Sequence, residues 1–135
     1  MPGSFFNSNV LVYLASNDAI KADRAEALIA SGGTISVQVL NELTNVARRK
    51  MRMPWEDIRG FLGLMRELLT VQPLTTEIHD QGLVLAERYG LSTYDAMIAA
   101  AALETGCDTL WSEDMQHGMS LDGGLRIVDP FRASD

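Results

Sequence analysis

The stretch Leu91-Ser92-Thr93-Tyr94-Asp95-Ala96-Met97-Ile98-Ala99-Ala100-Ala101-Ala102 constrains the fold more than any other part of the chain. Ser92 is a good helix N-cap, and Asp95, three residues on, completes a pattern like a capping box. An Ala-rich apolar run follows, and Gly106 stands where a helix C′ glycine belongs. Asp95 therefore falls in the first turn of a nearly all-apolar helix. Taken alone, an acid there caps the helix and complements its dipole. Its spacing to Asp114 and to the other acids gives it a second reading, as one member of a site.

The rest of the chain alternates between strand and helix signals. Phe5 and Phe6 open a strand that leaves the sheet at Asn7-Ser8-Asn9, and Val10 to Leu14 begins a helical turn. A helix over Ala19–Ala30 stops at Gly32-Gly33, and Thr34–Val37 is a short strand. Val39, Leu43 and Val46 share one face of the next helix, which carries Glu42. Pro54 starts another as an N1 proline, with Glu56 and Asp57 in its first turn. Val71–Leu74 is read as a third strand, and a helix from Thr75 closes at Gly90. Beyond the Asp95 helix, Thr109–Ser112 is a compact strand with Glu113-Asp114 at its exit. A turn holding Gly118, Gly123 and Gly124 leads to a last strand over Arg126–Val128. Such alternation is the signature of βαβ units and a parallel sheet covered by helices. Ligands of such sheets bind outside the carboxyl ends of the strands, where Asn7, Glu42, Asp95 and Asp114 all map.

Length and composition bound what this sheet can serve. A chain of 135 residues, 47% hydrophobic and 21% charged, is long enough for one globular domain and too apolar for disorder. The net charge of −7 argues against nucleic-acid binding by bulk electrostatics. Cys107 stands alone, which excludes a disulfide framework and a cysteine-based zinc site and points to a reducing cytoplasm. Neither a signal peptide nor a membrane span is expected.

Carboxylates converging without basic partners repel one another unless a cation joins them. With oxygen donors dominating, that cation is Mg²⁺, with Mn²⁺ as a substitute. Metal-assisted hydrolysis of a phosphodiester is the implied chemistry.

Four segments in order carry a resemblance: Phe6-Asn7-Ser8-Asn9-Val10-Leu11, the Ile35-Ser36 strand running to Glu42-Leu43, Leu91–Ala96, and Leu110-Trp111-Ser112-Glu113-Asp114-Met115. Together, nearly end to end, they resemble the PIN-domain ribonucleases, specifically the toxins of VapBC-type toxin–antitoxin systems. The resemblance implies a three-layer α/β/α fold with a central, mostly parallel sheet. It further implies an Mg²⁺-dependent endoribonuclease, dimeric and sequestered by a cognate VapB-like antitoxin through which the complex binds operator DNA. Glu42, Asp95 and Asp114 are then metal-binding acids, with Ser112 supporting them by hydrogen bonding and Ser8 and Asn9 flanking the first acid position. That first acid is an aspartate in the family and Asn7 here. Asparagine lacks the negative charge and one carboxylate oxygen, so metal affinity and water activation should fall and Asn7→Asp should restore cleavage. Asn7 is either natural drift or a deliberate inactivation of a toxic chain. A second reading is a catalytically silent module that binds the antitoxin; a receiver-type phosphoryl-transfer protein would need a nucleophilic aspartate where Asn7 stands.

Among the remaining residues, Arg48, Arg49, Lys50 and Arg52 form either a phosphate-contacting patch for RNA or a cationic helix end favouring its dipole. His117 either touches substrate or is a solvated turn histidine, and His79 is structural. Trp55, Phe61, Met65 and Leu69 are expected in the core. Any exposed part of that stripe would suit an antitoxin helix, whose arginine could neutralise the acids.

Overall fold

A computed structural model describes residues 3–132. Its six-stranded sheet has the order β3-β2-β1-β4-β6-β5. The strands are β1 (Ser4–Phe6), β2 (Thr34–Ser36), β3 (Thr70–Gln72), β4 (Thr109–Trp111), β5 (Ser120–Leu121) and β6 (Leu125–Val128). All neighbours pair in parallel except β5, which runs antiparallel to β6. The helices are α1 (Ser8–Leu11), α2 (Ala19–Ile29), α3 (Val37–Arg49), α4 (Trp55–Leu68), α5 (Thr76–Tyr89) and α6 (Thr93–Glu104), with 3₁₀ turns at Val12–Ala15 and Asp122–Gly124. This is the mostly parallel sheet, flanked by helices, that the alternation of signals predicts. No helix among the described residues is long and apolar enough to cross a membrane.

The chain builds outward from β1 to β2 and β3, then returns to lay β4 on the other side of β1. The strand order reverses between β1 and β4, and a crevice opens at such a switch point outside the carboxyl ends. Phe5, Phe6, Ile35, Leu110 and Ile127 are buried in the sheet. Residues Ala96 through Ala102 of α6 are buried on every side, as a helix without a polar face requires. Gly33 lets β2 start against β1: its φ is +156°, and a Cβ there would lie 2.5 Å from Phe6 Cε2 and 3.0 Å from the Ser4 carbonyl oxygen.

Several boundaries differ from the sequence expectation. Pro54 is the N-cap of α4, one residue ahead of the N1 position, with extended ψ of 154°. The third strand is Thr70–Gln72, because Pro73 has no N–H to continue a ladder. β5 lies inside the expected Gly-rich turn; a two-residue strand carries no periodicity to read. The α4 stripe divides: Met65 and Leu69 are core, whereas Trp55, at its N-terminal end, is 47% exposed.

Candidate functional site

Asn7 follows β1 directly, and Ser112 follows β4. Phe6 pairs with Trp111 in the parallel ladder, and Asn7 N–H extends it by donating to the Trp111 carbonyl at 2.9 Å. The next two residues therefore stand side by side at the switch point. Asn7 is 2% exposed and Ser112 fully buried. Asn7 caps α1, its Oδ1 accepting from Ser8 N–H at 2.7 Å and from the Ser8 hydroxyl at 3.3 Å. Its Nδ2 donates to Ser112 Oγ at 3.1 Å. Ser112 Oγ also accepts from Asn9 Nδ2 at 3.3 Å and from Met115 N–H at 3.3 Å, while Asn9 Oδ1 takes Glu113 N–H at 3.0 Å. Thus Ser8, Asn9 and Ser112 tie the two strand exits together.

Glu42 reaches the same edge from the second turn of α3, whose N-cap is Ser36 at the end of β2. Its Oε1 accepts from the Ser8 hydroxyl at 2.8 Å and its Oε2 from Gln38 Nε2 at 3.1 Å. Asp95 arrives from the first turn of α6. Ser92 Oγ accepts from Asp95 N–H at 3.3 Å, the N-cap half of the expected box. No return bond from the Asp95 carboxylate to Ser92 N–H forms, so the carboxylate is left to the cleft. Burial raises the Asp95 pKa above the ordinary carboxylate value; the Ser92 hydroxyl opposes this, and the charges of Glu42 and Asp114 add to it. Asp114, at the exit of β4, is exposed.

Asn7, Glu42, Asp95 and Asp114 line one cleft of about 620 Å³, shared with Ser8, Asn9, Tyr13 and Lys50. Their donors are oxygens only, which suits a hard divalent cation. Among the described residues, however, no three Asp, Glu, His or Cys side chains stand close enough to form a metal-binding set. At Asn7 both ends of the side chain are already hydrogen-bonded within the protein.

Tyr13 and Lys21 carry no signal in the sequence that singles them out, and Glu113 stands out there only as the neighbour of Asp114. Lys21 Nζ pairs with Glu113, donates to the Tyr13 hydroxyl at 3.2 Å, and lies 4.7 Å from the Tyr13 ring centroid and 5.1 Å from that of Phe131. The Tyr13 hydroxyl donates to Glu113 Oε1 at 2.6 Å. The pKa values of Tyr13 and Lys21 are raised, each chiefly by its hydrogen bond to Glu113. Glu113 is thereby held by a cation, and its neighbour Asp114 is left without one.

The basic cluster separates. Lys50 lines the acidic cleft, Arg48 lines an adjoining pocket, and Arg49 and Arg52 line neither. His117 lines neither cleft as well; its Nδ1 accepts from Asp129 N–H at 3.0 Å, which anchors the turn before β5 to the segment after β6. His79 is exposed on α5.

Comparison with known proteins places this geometry. The profile of the PIN domain matches residues 5–117. Among solved structures, a toxin–antitoxin complex from Klebsiella pneumoniae matches with a TM-score of 0.72 and 19% identity, over 96% of this chain and 99% of that one. The sarcin–ricin-loop-cleaving toxin VapC20 of Mycobacterium tuberculosis matches with a TM-score of 0.68 and 19% identity, over 82% of this chain and 89% of that one. DNA-bound VapBC from Salmonella typhimurium matches with a TM-score of 0.64 and 22% identity, over 96% and 99%. No curated protein matches the sequence.

Proposed function

Because the chain belongs to the PIN-domain family, we propose that it has the framework of a metal-dependent endoribonuclease toxin, with hydrolysis impaired at Asn7. The observation that carries this reading is the gathering of Asn7, Glu42, Asp95 and Asp114 in one cleft at the switch point between β1 and β4. Glu42, Asp95 and Asp114 are the acids that would hold Mg²⁺, or Mn²⁺ in its place, and they stand farther apart in this structure than a bound ion would hold them. The chemistry such an ion supplies is charge against the phosphoryl oxygens and a lowered pKa for the attacking water. The protein does the rest. Ser8 and Gln38 fix the Glu42 carboxylate through its two oxygens. The Asn7–Ser112–Asn9 bonds hold the exits of β1 and β4 at a set spacing. Lys50, on the cleft wall, offers a cation to the phosphate backbone of RNA. In the hydrolysis this reading implies, water would add to phosphorus, the bond to the leaving ribose oxygen would break, and that oxygen would take up a proton as the water gives one up. Asn7 supplies neither the charge nor the free oxygen of an aspartate.

A VapB-like antitoxin is the proposed protein partner, since similar folds occur in toxin–antitoxin complexes, some of them bound to DNA. A homodimer, operator binding through the antitoxin and a cytoplasmic setting follow from the same reading. The alternative, a silent antitoxin-binding module, is favoured by one observation: the Asn7 side chain is spent on Ser8 and Ser112. To separate the two, Glu42→Gln, Asp95→Asn and Asp114→Asn are each added to Asn7→Asp and assayed on RNA with Mg²⁺. The nuclease reading predicts that the Asn7→Asp protein cuts and that each added change lowers its rate by about 10²-fold or more. An Asn7→Asp protein that cuts no RNA although folded leaves the silent module.

A further inference from the structure

Beside the acidic cleft lies a second pocket of about 490 Å³, and the two share Glu42 and Asn45 as a common wall. Its composition is unlike that of the cleft. The Arg48 guanidinium lies over the Trp55 ring, 4.7 Å from the centroid. Trp55 is 47% and Tyr94 65% exposed, so both rings line the pocket open to solvent. Gln38 and Asn41 add amide groups that can both donate and accept hydrogen bonds. Planar stacking surfaces, a guanidinium and side-chain amides, together and open to solvent, form the set that recognises an unstacked nucleobase. The set also accounts for the divided basic cluster: Lys50 faces the cleft and Arg48 its neighbour, on either side of the Asn45 wall.

Resting on the nuclease reading above, we propose that this pocket is a base-binding subsite for single-stranded RNA. It takes one nucleobase next to the phosphate held in the acidic cleft. Arg48 and Trp55 form the stacking platform, Tyr94 closes the opposite side, and Gln38 and Asn41 contact the base edge. The shared Glu42 wall fixes the distance between subsite and cleft, so the pocket selects where along a strand the scissile phosphate falls. A duplex, whose bases remain stacked, cannot enter it.

The test uses binding, which reads the subsite apart from cleavage. Fluorescein-labelled octamers of oligoadenylate and oligouridylate are compared with an abasic ribose-phosphate octamer of equal charge. The chain is expected to bind at least one base-bearing octamer about tenfold or more tighter than the abasic one. Trp55→Ala and Arg48→Ala are each expected to remove most of that difference, whereas Lys50→Ala weakens all octamers alike and reduces the salt dependence. Light scattering and thermal melting on the same samples confirm that each variant folds. Equal binding of base-bearing and abasic octamers overturns the subsite and leaves the nuclease reading standing. So does a Trp55→Ala variant that changes only self-association or antitoxin binding, which would assign this surface to a protein partner. Failure of every octamer to bind overturns the subsite and counts against the nuclease reading as well, and cleavage by Asn7→Asp then decides the latter separately.

Discussion

The Asn7 side chain donates from Nδ2 to Ser112 Oγ at 3.1 Å, across the boundary between the exits of β1 and β4. That bond has a direction. A carboxylate in the same place would accept from Ser8 N–H with one oxygen and from the Ser112 hydroxyl with the other, and would bring a negative charge to the cleft. Asparagine caps α1 in the same way but points a donor at Ser112 and brings no charge. Either residue can fill the hydrogen bonds of the strand exits; only the carboxylate adds charge and a second acceptor.

Asn7→Asp should therefore cost stability in the absence of divalent metal. A carboxylate at a position 2% exposed, sharing a cleft with Glu42, Asp95 and Asp114, should lower stability by about 1–3 kcal/mol. Mg²⁺ should then raise the Tm of the variant well above its value in EDTA, and that of the parent much less. Calorimetry of both proteins with and without Mg²⁺ checks this; equal metal responses would contradict it.

A pH dependence follows from Asp95. Its folded pKa is raised, mainly by burial, so between the ordinary carboxylate value and the raised one the folded state binds more protons than the unfolded state. The contribution of Asp95 to stability is then fully present at low pH and is lost as pH rises through the folded pKa. Asp95→Asn removes this loss. In EDTA, the stability of the variant relative to the parent should grow from about pH 3 to 7, by no more than about 1 kcal/mol given its partial exposure. A difference independent of pH would show that the cleft does not penalise this carboxylate.

Ser112→Ala should destabilise the chain by about 1–3 kcal/mol. The buried hydroxyl accepts from Asn7, Asn9 and Met115, and alanine leaves those donors unpaired. Denaturant unfolding measures it, and a change below about 0.5 kcal/mol would mean that these donors find other partners.

Gly33→Ala tests the start of β2. The new Cβ meets the Ser4 carbonyl oxygen at 3.0 Å and the Phe6 ring more closely still, on a backbone of φ +156°. A loss of about 1–3 kcal/mol is expected in chemical denaturation; an unchanged midpoint would show that β1 and β2 yield easily.

The α/β alternation was legible because each element had its own local signal: Ser92 and Thr75 cap helices, and Gly90 and Gly106 end them with positive φ. Strand exits brought Asn7 and Asp114 to the carboxyl edge of the sheet, and helix starts brought Glu42 and Asp95 there. What the sequence could not show is long-range pairing. Lys21 meets Glu113 across most of the chain, and nothing local to either announces the other. Arg48 and Lys50 read as one patch, yet the geometry of the α3 end sends them to different pockets. Trp55 fits the apolar spacing of α4, but it stands at the first helical residue, where the core has fallen away.

Whether Asn7 alone holds back the acidic framework is decided by incubating the parent chain and Asn7→Asp with total cellular RNA, each with Mg²⁺ and with EDTA, and mapping the cut ends. Discrete cleavage is expected from Asn7→Asp with Mg²⁺, none with EDTA, and strongly reduced or absent cleavage from the parent. Equal cleavage by both proteins, or cleavage that persists in EDTA, would contradict this expectation.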